Sequence, residues 1–317
     1  MTLIIKINPK KPEKQLIKMA SDVLKESNLV AFPTETVYGL GAGAFNRKAV
    51  AKIFNAKGRK ADNPLIVHIA DRKDLNKLAK NIPNEARLLA NAFWPGPLTL
   101  VLEKKDIIPS NVTSGLDTVA IRMPSNKIAL ELIRASGPIA APSANLSGRP
   151  SGTSVKHVIQ DFDGKINCII DGGDSKIGLE STVVSLASSP PLLLRPGYIT
   201  LEQLRKYLPE IEVHKSIKGL KIDGKVASPG MKYKHYSPKA KVILAENDKE
   251  IKEIRKKYSG KRIRVIDIKN EKILAKNIFR IFRESDSEGY EIIIVKSVKD
   301  KGLGLAIMNR LRKASSS

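Results

Sequence analysis

The stretch from Val213 to Lys241 differs in composition from the sequence around it and divides the chain in two. It carries eight lysines, one acidic residue, three glycines and two prolines, a composition typical of a linker. A chain of 317 residues is also long enough to form two domains. We therefore predict a first domain over residues 1–210, a basic linker over residues 211–240 and a second domain over residues 241–317.

Short apolar runs alternate with helical patterns before the linker. Helices are predicted from Pro12 to Ser27 and over residues 47–54, and Thr200 and Gln203 have the spacing of a capping box near the end of the domain. Strands with helices at varied spacing indicate an α/β domain with a mixed sheet. The predicted strands are residues 3–7, 29–32, 64–70, 98–104, 118–124, 166–171, 181–186 and 191–196.

The pattern after the linker is more regular, with a strand followed by a helix three times. This order is typical of a small three-stranded parallel sheet covered by helices, a Rossmann-like arrangement. The strands are predicted over residues 241–246, 262–268 and 290–296, and the helices over residues 248–258, 271–284 and 302–313.

The composition limits the class of protein. The net charge of +24, spread along the whole chain, indicates either a polyanionic partner or a lysine-rich proteome. No apolar run of about 18 residues is present, which argues against a membrane span. The start of the chain lacks the apolar core of a signal peptide, and the single cysteine, Cys168, fits a buried position in a reducing compartment. We expect a cytoplasmic protein.

Several common sites are absent from the sequence. Gly173 and Gly178 have P-loop spacing, but Leu179 and Glu180 stand where lysine and serine or threonine are required. The four histidines are scattered, so no protein-held metal is predicted, and no nucleophile elbow is present.

Five polar loops adjoin apolar strands and are the remaining candidates for chemistry. Ligand sites of open α/β sheets form at strand ends, although each loop alone could be an ordinary connection. The third loop carries several small hydroxyl and amide side chains, which can line phosphate oxygens. The loops are residues 32–44, 55–64, 138–152, 178–186 and 192–200.

Four basic side chains in these loops or at the end of a predicted strand are candidates for anion contacts. Lys57 and Arg59 flank Gly58, and in an extended conformation both would project to the same side. The alternative is a solvated helix end with basic residues near its C-terminus. Arg122 and Arg195 each follow a strand of buried type, so they contact either a bound anion or an internal carboxylate.

Seven motifs along the chain, in order, resemble the YrdC-like domain of threonylcarbamoyl-AMP synthases. They are PTETVYGL, the Lys57-Gly58-Arg59 element with NPL and His68, WPGPLTLVL, VAIRMP, APSANLSG, GLESTVV and LLRPGYIT. The match covers about residues 12–208, and SPGMKYKHYSP resembles the linker of the long, two-domain form. The resemblance implies a twisted α/β sandwich around a large basic cavity.

The resemblance also implies a nucleotidyltransferase reaction. L-Threonine, bicarbonate or CO2, and ATP would give threonylcarbamoyl-AMP and pyrophosphate, and a separate transferase would use the product to modify tRNA. Magnesium would arrive with ATP, with Glu35, Asp117 and Glu180 as candidates for contacts through water. By motif match, the residues implied for L-threonine are Thr34, His68, Arg122 and Ser181. Those implied for ATP are Lys57, Arg59, Asn63, Thr118, Ser143, Asn145, Ser151 and Arg195, with Lys57 and Arg59 as the catalytic pair.

The linker would then close the cavity mouth and keep water from the product, rather than serve as a tether only. Its candidates for nucleotide contacts are Lys234, His235 and Tyr236, beside the basic Lys232. The sequence departs from the family pattern at Ser151-Gly152-Thr153, where Ser-Pro-Thr is expected, and at Ser185, where aspartate is expected.

Two rival functions remain open. A non-catalytic protein that binds double-stranded RNA or tRNA through the basic cavity would explain the charge, but only 5% of residues are aromatic and no stacking motif is present. A carbamoyl-phosphate-using transferase of hydrogenase maturation also carries a YrdC-like domain, but it needs zinc-finger modules that a chain with one cysteine cannot form.

Overall fold

One mixed sheet of eleven strands dominates the first part of the chain in this computed structural model, which describes residues 1–218 and 236–315. The strands lie in the spatial order β1-β8-β2-β3-β7-β4-β6-β5-β9-β10-β11. In chain order they are Leu3–Lys6 (β1), Val30–Phe32 (β2), Gly39–Gly43 (β3), Ile66–His68 (β4), Leu98–Glu103 (β5), Thr118–Arg122 (β6), Ile139–Ala141 (β7), Cys168–Asp171 (β8), Thr182–Ser185 (β9), Leu192–Arg195 (β10) and Glu212–Val213 (β11).

Helices cover this sheet because each has one apolar face. Ile17 and Leu24 of α1 and Leu132 of α6 join one core with Phe32 and Ile170 of the sheet. A larger core lies beneath other helices, including α2, α4 and α7. The helices are Lys14–Lys25 (α1), Arg47–Lys57 (α2), Leu75–Leu78 (α3), Asn84–Phe93 (α4), Ser110–Thr113 (α5), Lys127–Ser136 (α6), Val155–Phe162 (α7) and Leu201–Arg205 (α8), with short 3-10 turns at Arg72–Asp74 and Lys215–Lys218.

Strand β3 lies in a segment that the sequence indicated to be a loop. Its glycines hid it, since glycine is depleted in strands. A side chain at position 41 would lie 2.7 Å from Cγ2 of Ile139 and 2.8 Å from Cε1 of Phe32, so Gly41 allows close packing against neighbouring strands. The predicted capping box of Thr200 and Gln203 is confirmed.

The expected extended conformation around Gly58 is wrong. Helix α2 continues to Lys57, and Gly58 ends it in the left-handed region with φ +59°. Glycine adopts this conformation without steric cost, which explains the turn. Lys57 is nevertheless buried, with 3% exposure, so the alternative of a solvated helix end is wrong as well.

The second part of the chain is a three-stranded parallel sheet, as predicted, and its strands lie in the order β12-β14-β13. Its apolar core includes Phe279, Ile293 and Leu311, and the same cluster contains Val37 and Leu179 of the first part, so the two parts pack directly on each other. The elements are Lys241–Ala245 (β12), Asp248–Lys257 (α9), Ile263–Ile266 (β13), Glu271–Ser287 (α10), Ile292–Lys296 (β14) and Leu303–Ser315 (α11).

Within residues 1–218 and 236–315, none of the helices has the length and apolar character needed to cross a membrane. Cys168 lies fully buried in β8, as expected for a small hydrophobic residue. The short strand β11 and the turn at Lys215–Lys218 lie inside the segment predicted as linker.

Candidate active site

Three strands of the first sheet end at one cavity. β4 ends at His68, β6 at Arg122 and β10 at Arg195, and all three side chains line this cavity. β4 and β6 are parallel neighbours with His68 in register with Arg122, which explains why these two side chains meet. The volume of the cavity is about 50 Å³.

Arg122 forms a buried ion pair in the cavity wall. Its Nη2 donates to Oε1 of Glu35 over 2.6 Å, and the two side chains are 4% and 7% exposed. The Nε of Arg122 donates to the carbonyl oxygen of Gly96 over 3.3 Å. A guanidinium that is fixed in this way can receive a carboxylate in a defined orientation.

His68 contributes an uncharged ring. Burial, together with the charge of Arg122, lowers the pKa of His68 to about 3, so the imidazole is neutral near pH 7. Its Nδ1 lies 3.1 Å from the carbonyl oxygen of Ile66, which can only accept, and therefore Nδ1 carries the proton. His68 can act as a hydrogen-bonding group but not as a cation.

The loop after β2 presents hydroxyl groups to the same cavity. Oγ1 of Thr34 donates to the carbonyl oxygen of Val37 over 2.6 Å and lies 2.8 Å from Oγ1 of Thr36. The hydroxyl group of Tyr38 donates to the carbonyl oxygen of Gly173, which ties this loop to the loop after β8. These bonds hold the turn after Pro33 in one conformation.

Lys57 supports the loop after β7 from below. Its Nζ donates to the carbonyl oxygens of Ser143 and Asn145, and the backbone N–H of Ser147 donates to the carbonyl oxygen of Lys57. Burial, and then the charge of Arg59, holds the pKa of Lys57 well below its ordinary value. Ser143 and Asn145 are joined by a hydrogen bond of 2.6 Å from Oγ to Oδ1 and line the cavity.

Arg59 and Arg195 bring two further guanidinium groups to the cavity. Nη2 of Arg59 donates to the carbonyl oxygens of Asn63 and Pro64, and burial lowers its pKa to about 10, which leaves it charged near pH 7. Arg195 donates from Nε to the carbonyl oxygen of Ser181 over 3.0 Å and from Nη2 to Oγ of Ser181 over 3.1 Å. With Arg122, three arginines face one small volume, an arrangement that favours a polyanion.

Tyr236, the first described residue after the gap at residues 219–235, closes part of the wall. Its ring stacks on Phe279 at a centroid distance of 5.2 Å, and the guanidinium carbon of Arg310 lies 5.7 Å from its centroid. Both contacts come from the second domain, so Tyr236 connects that domain to the cavity.

Comparison with known proteins supports the fold and the family. The Sua5/YciO/YrdC family model, described as telomere recombination, matches residues 22–197, and a model described as the threonylcarbamoyl-AMP synthase C-terminal domain matches residues 199–316. A threonylcarbamoyl-AMP synthase of Pyrococcus abyssi is 51% identical over 99% of this chain and 98% of its own length. One of Bacillus subtilis is 47% identical over 94% and 92%. This chain belongs to the threonylcarbamoyl-AMP synthase family.

The same relationship holds in three dimensions. A crystal structure of Sua5 of Pyrococcus abyssi, described as complexed with L-threonine, has a TM-score of 0.95 and 50% identity and covers 99% of this chain and 98% of that one. The predicted fold, an N-terminal YrdC-like α/β domain and a small C-terminal Rossmann-like domain, is therefore confirmed for this member of the family. The curated relatives are named as synthases, which makes the family one of enzymes.

Nine residues that the family motifs indicate line this one cavity. They come from both predicted groups, the one for threonine and the one for ATP. They are Thr34, Arg59, His68, Arg122, Ser143, Asn145, Ser181, Arg195 and Tyr236.

Other predicted residues lie elsewhere. Ser151 is fully buried and donates from Oγ to Oε1 of Glu180, and Asn63 is 1% exposed and does not line the cavity. Thr118 is the first residue of the five-residue strand β6 and Arg122 is the last, so the two lie at opposite ends of the strand. Lys234 and His235, with Lys232, lie outside the described residues.

The acidic candidates for contacts with magnesium have different surroundings. Asp117 is exposed, while Glu180 lines the cavity and accepts from Nε of Arg310 over 3.0 Å. Burial alone would raise the pKa of Glu180, but the charges of Arg310 and then Arg195 outweigh it, so the pKa is lowered and the carboxylate is ionised. Within the two described segments, no group of three His, Cys, Asp or Glu side chains could hold a metal ion.

Sequence reasoning missed some members of the site. Thr36 and Tyr38 line the cavity and lie inside the PTETVYGL motif, so the motif itself carried the signal. Arg310 gave no signal, because an arginine in the pattern of a terminal helix normally indicates a solvated face. It is instead fully buried against Glu180.

Proposed function

We propose that this protein is an L-threonylcarbamoyladenylate synthase, which joins L-threonine, bicarbonate or CO2, and ATP and releases pyrophosphate. The observation that carries the proposal is that residues from both motif groups, for threonine and for ATP, line one cavity. A reaction between an amino acid and a nucleotide requires both to be held side by side.

The chemistry suits a site without a covalent nucleophile. The amine of threonine attacks CO2 and loses a proton to form a carbamate, and a carbamate oxygen then attacks the α-phosphorus of ATP. The bond from the α-phosphorus to the bridging oxygen breaks, and pyrophosphate leaves with the electron pair. Positioning and neutralisation of phosphate charge supply most of the catalysis in phosphoryl and nucleotidyl transfer.

The side chains divide between the two substrates in this proposal. Arg122 takes the carboxylate of threonine, with Thr34, His68 and Ser181 around the rest of the molecule. Arg59, Arg195 and the loop that carries Ser143 and Asn145 take the triphosphate, with Lys57 as the cation behind that loop. Magnesium comes with ATP and neutralises phosphate charge that the arginines do not reach.

The size of the cavity adds a requirement. A volume of about 50 Å³ holds one or two water molecules and is far too small for ATP. We expect part of the wall to move when the substrates bind. Tyr236 belongs to the predicted lid and lines this wall. Closure of the wall after binding would keep water from the product, threonylcarbamoyl-AMP, which is a mixed anhydride of a carbamate and a phosphate. The product would then pass to a separate transferase that modifies tRNA.

Pyrophosphate release provides the test. ATP and magnesium are supplied with L-threonine and bicarbonate each present or omitted, and with L-serine in place of threonine as the control. Release that requires both threonine and bicarbonate, with much less from serine, supports the synthase. Release that ignores threonine, together with retention of tRNA that weakens steeply with salt, would favour the RNA-binding alternative.

A further inference from the structure

Arg283, on helix α10 of the second domain, reaches into the first domain. Its Nη2 donates to Oδ2 of Asp161 over 2.6 Å and to the carbonyl oxygen of Pro150 over 2.7 Å, and its Nε donates to the same carbonyl oxygen over 3.1 Å. The two charged side chains are 7% and 0% exposed. The planar guanidinium thus fixes two acceptors of the other domain in one orientation.

Asp161 links Arg283 to residues 143–151, which we call the nucleotide loop. Its Oδ2 accepts from the backbone N–H of Leu146 over 3.1 Å, and its Oδ1 accepts from Nη1 of Arg149 over 3.0 Å. Burial alone would raise the pKa of Asp161, but the hydrogen bond and charge of Arg283 outweigh it, and the carboxylate is ionised. Arg283 therefore holds the nucleotide loop directly at Pro150 and indirectly at Leu146.

The nucleotide loop is held from the opposite side by the first domain. Lys57 donates to the carbonyl oxygens of Ser143 and Asn145, and Nδ2 of Asn145 donates to the carbonyl oxygens of Leu146 and Arg149. The half of the loop that lines the cavity is thus joined by hydrogen bonds to the half that Arg283 holds.

Arg310, on helix α11, makes an equivalent contact at the end of the nucleotide loop. Its Nε donates to Oε2 of Glu180 over 3.0 Å, and Oε1 of Glu180 accepts from Oγ of Ser151. Its Nη1 donates to the carbonyl oxygen of Pro196, next to Arg195, over 2.7 Å. The second domain therefore reaches both the nucleotide loop and the backbone that follows Arg195.

Stability alone explains these contacts poorly. The desolvation free energy lost on burying a charged pair is about as large as the electrostatic attraction gained. Apolar residues of similar volume therefore often stabilise a buried interface better. The interface already has an apolar core, which includes Val37, Leu179 and Phe279. What the ion pairs add is a fixed orientation of the groups that they bind.

We propose that the second domain positions the nucleotide loop for ATP through Arg283, with Arg310 as a second positioning residue. The role rests on the proposed function, because it is the nucleotide loop that receives ATP there. Neither arginine lines the cavity, so each acts through the residues that it holds.

Hydrogen exchange tests the positioning without reference to activity. The Arg283→Met variant of the full chain is compared with Arg280→Met. Arg280 lies on the same helix, but its ion pair with Glu284 is about half exposed, so its removal serves as the control. We expect faster amide exchange over residues 143–151 in Arg283→Met and unchanged exchange there in Arg280→Met. Unchanged exchange over residues 143–151 in Arg283→Met would overturn the proposal.

Binding measurements test the consequence for ATP. The ligands are an ATP analogue with a methylene bridge between the α and β phosphorus atoms and, separately, L-threonine, both followed by calorimetry. Arg283→Met should weaken the affinity for the analogue by about 2- to 30-fold, which is the range for coupling through packed contacts. The affinity for L-threonine should stay within about twofold of the wild-type value. Equal weakening of both ligands would indicate general loosening and would overturn the proposal.

A second variant keeps the test valid if Arg283→Met does not fold. The Arg283→Met/Asp161→Asn double variant leaves no unpaired buried carboxylate at this position, and it should fold and lose the same affinity for the analogue. Wild-type affinity in the double variant would overturn the proposal. If the wild-type protein binds neither ligand, the proposed function fails, whereas the exchange measurement still decides whether Arg283 holds the loop.

Discussion

Arg122 and Glu35 form a buried ion pair, with 2.6 Å between Nη2 and Oε1. The second carboxylate oxygen, Oε2 of Glu35, is buried and has no hydrogen-bond partner within the described segments. Glu35 also lines a second cleft, of about 730 Å³, which Arg122 does not line. The pair therefore forms a charged partition whose arginine faces the candidate active site.

The Arg122→Met variant should lose affinity for L-threonine. A charge-assisted hydrogen bond contributes about 1.5–3 kcal/mol, so we expect a loss of about 10- to 150-fold. Affinity for the methylene-bridged ATP analogue should change by less than about twofold, because this guanidinium is assigned to threonine alone. Calorimetry with each ligand measures both values.

The unpaired Glu35 complicates that variant, since breaking a buried pair costs about 3–5 kcal/mol of stability. The Arg122→Met/Glu35→Gln double variant removes both charges and should be more stable than Arg122→Met while binding threonine equally weakly. Arg134→Met is the control, because its ion pair with Glu131 is about half exposed. Wild-type affinity for threonine in the double variant would contradict the assignment.

ATP binding should take up a proton at Lys57. The pKa of this amine is held well below its ordinary value by burial and then by the charge of Arg59, which favours the neutral amine in the free protein. A triphosphate nearby favours the charged form and raises that pKa. We therefore expect proton uptake on binding, and an affinity that falls as the pH rises.

Calorimetry at about pH 8 in two buffers of different ionisation enthalpy measures this uptake, and the pH keeps the nucleotide itself fully ionised. The control is Lys57→Arg, since arginine remains protonated and should abolish the uptake. Equal uptake in Lys57→Arg and wild type would assign the proton to another group.

His68 should make the protein sensitive to acid. Its pKa is about 3 in the folded protein, against about 6.5 when unfolded, so the unfolded chain binds the proton first as the pH falls. The free energy of unfolding then decreases between these two values, by up to about 1.4 kcal/mol per pH unit for one proton. His68→Asn should reduce the dependence of the free energy of unfolding on pH by about 1.4 kcal/mol per pH unit between about pH 5.5 and pH 3.5.

Denaturant unfolding at a series of pH values gives the slope. His157, whose pKa burial lowers to about 4, contributes in the same direction, so His157→Asn should reduce the slope in a similar way. His214→Asn, at a half-buried position just after β11, is the comparison with the smallest expected change. Desolvation is the main cause of its lowered pKa, and this side chain is only partly removed from water. A slope unchanged by His68→Asn would contradict the buried neutral ring.

Much of the fold and of the candidate site could be predicted because the signals are local. Arg122 and Arg195 directly follow apolar runs, and that order alone places them at strand ends. The regular alternation after residue 241 likewise predicted three parallel strands. Strand β3 was missed because its glycines give no apolar alternation. The close approach of Phe32 and Ile139, which leaves no room for a side chain at Gly41, explains why glycine stands in this strand.

Long-range pairs could not be predicted from one sequence. Arg283 and Asp161 are 122 positions apart, and each has the pattern of an ordinary helix residue until the two domains meet. The hydroxyl group of Ser151, which its motif assigns to ATP, donates to Glu180, 29 positions away. Partners of this kind depend on how the two domains dock, which the periodicity of either domain does not determine.

Tyr236 should determine how much product survives rather than how fast pyrophosphate appears. Its ring is 5% exposed, lines the cavity and stacks on Phe279. An aromatic pair contributes about 0.5–1.5 kcal/mol beyond its buried area, which would shift the balance between closed and open walls by about 2- to 12-fold. Tyr236→Ala should therefore admit water to the mixed anhydride, and Tyr236→Phe, which keeps the ring, should retain more of the closed form.

The measurement is the ratio of threonylcarbamoyl-AMP recovered to pyrophosphate released. We expect the ratio to fall in Tyr236→Ala while pyrophosphate release continues, because hydrolysis consumes product after the chemical step. Phe279→Ala removes the stacking partner from the second domain and should lower the ratio in the same direction. If Phe279→Ala keeps the wild-type ratio while Tyr236→Ala does not, the contact with the second domain is not what holds the wall closed. A wild-type ratio in both variants would exclude Tyr236 from closure altogether.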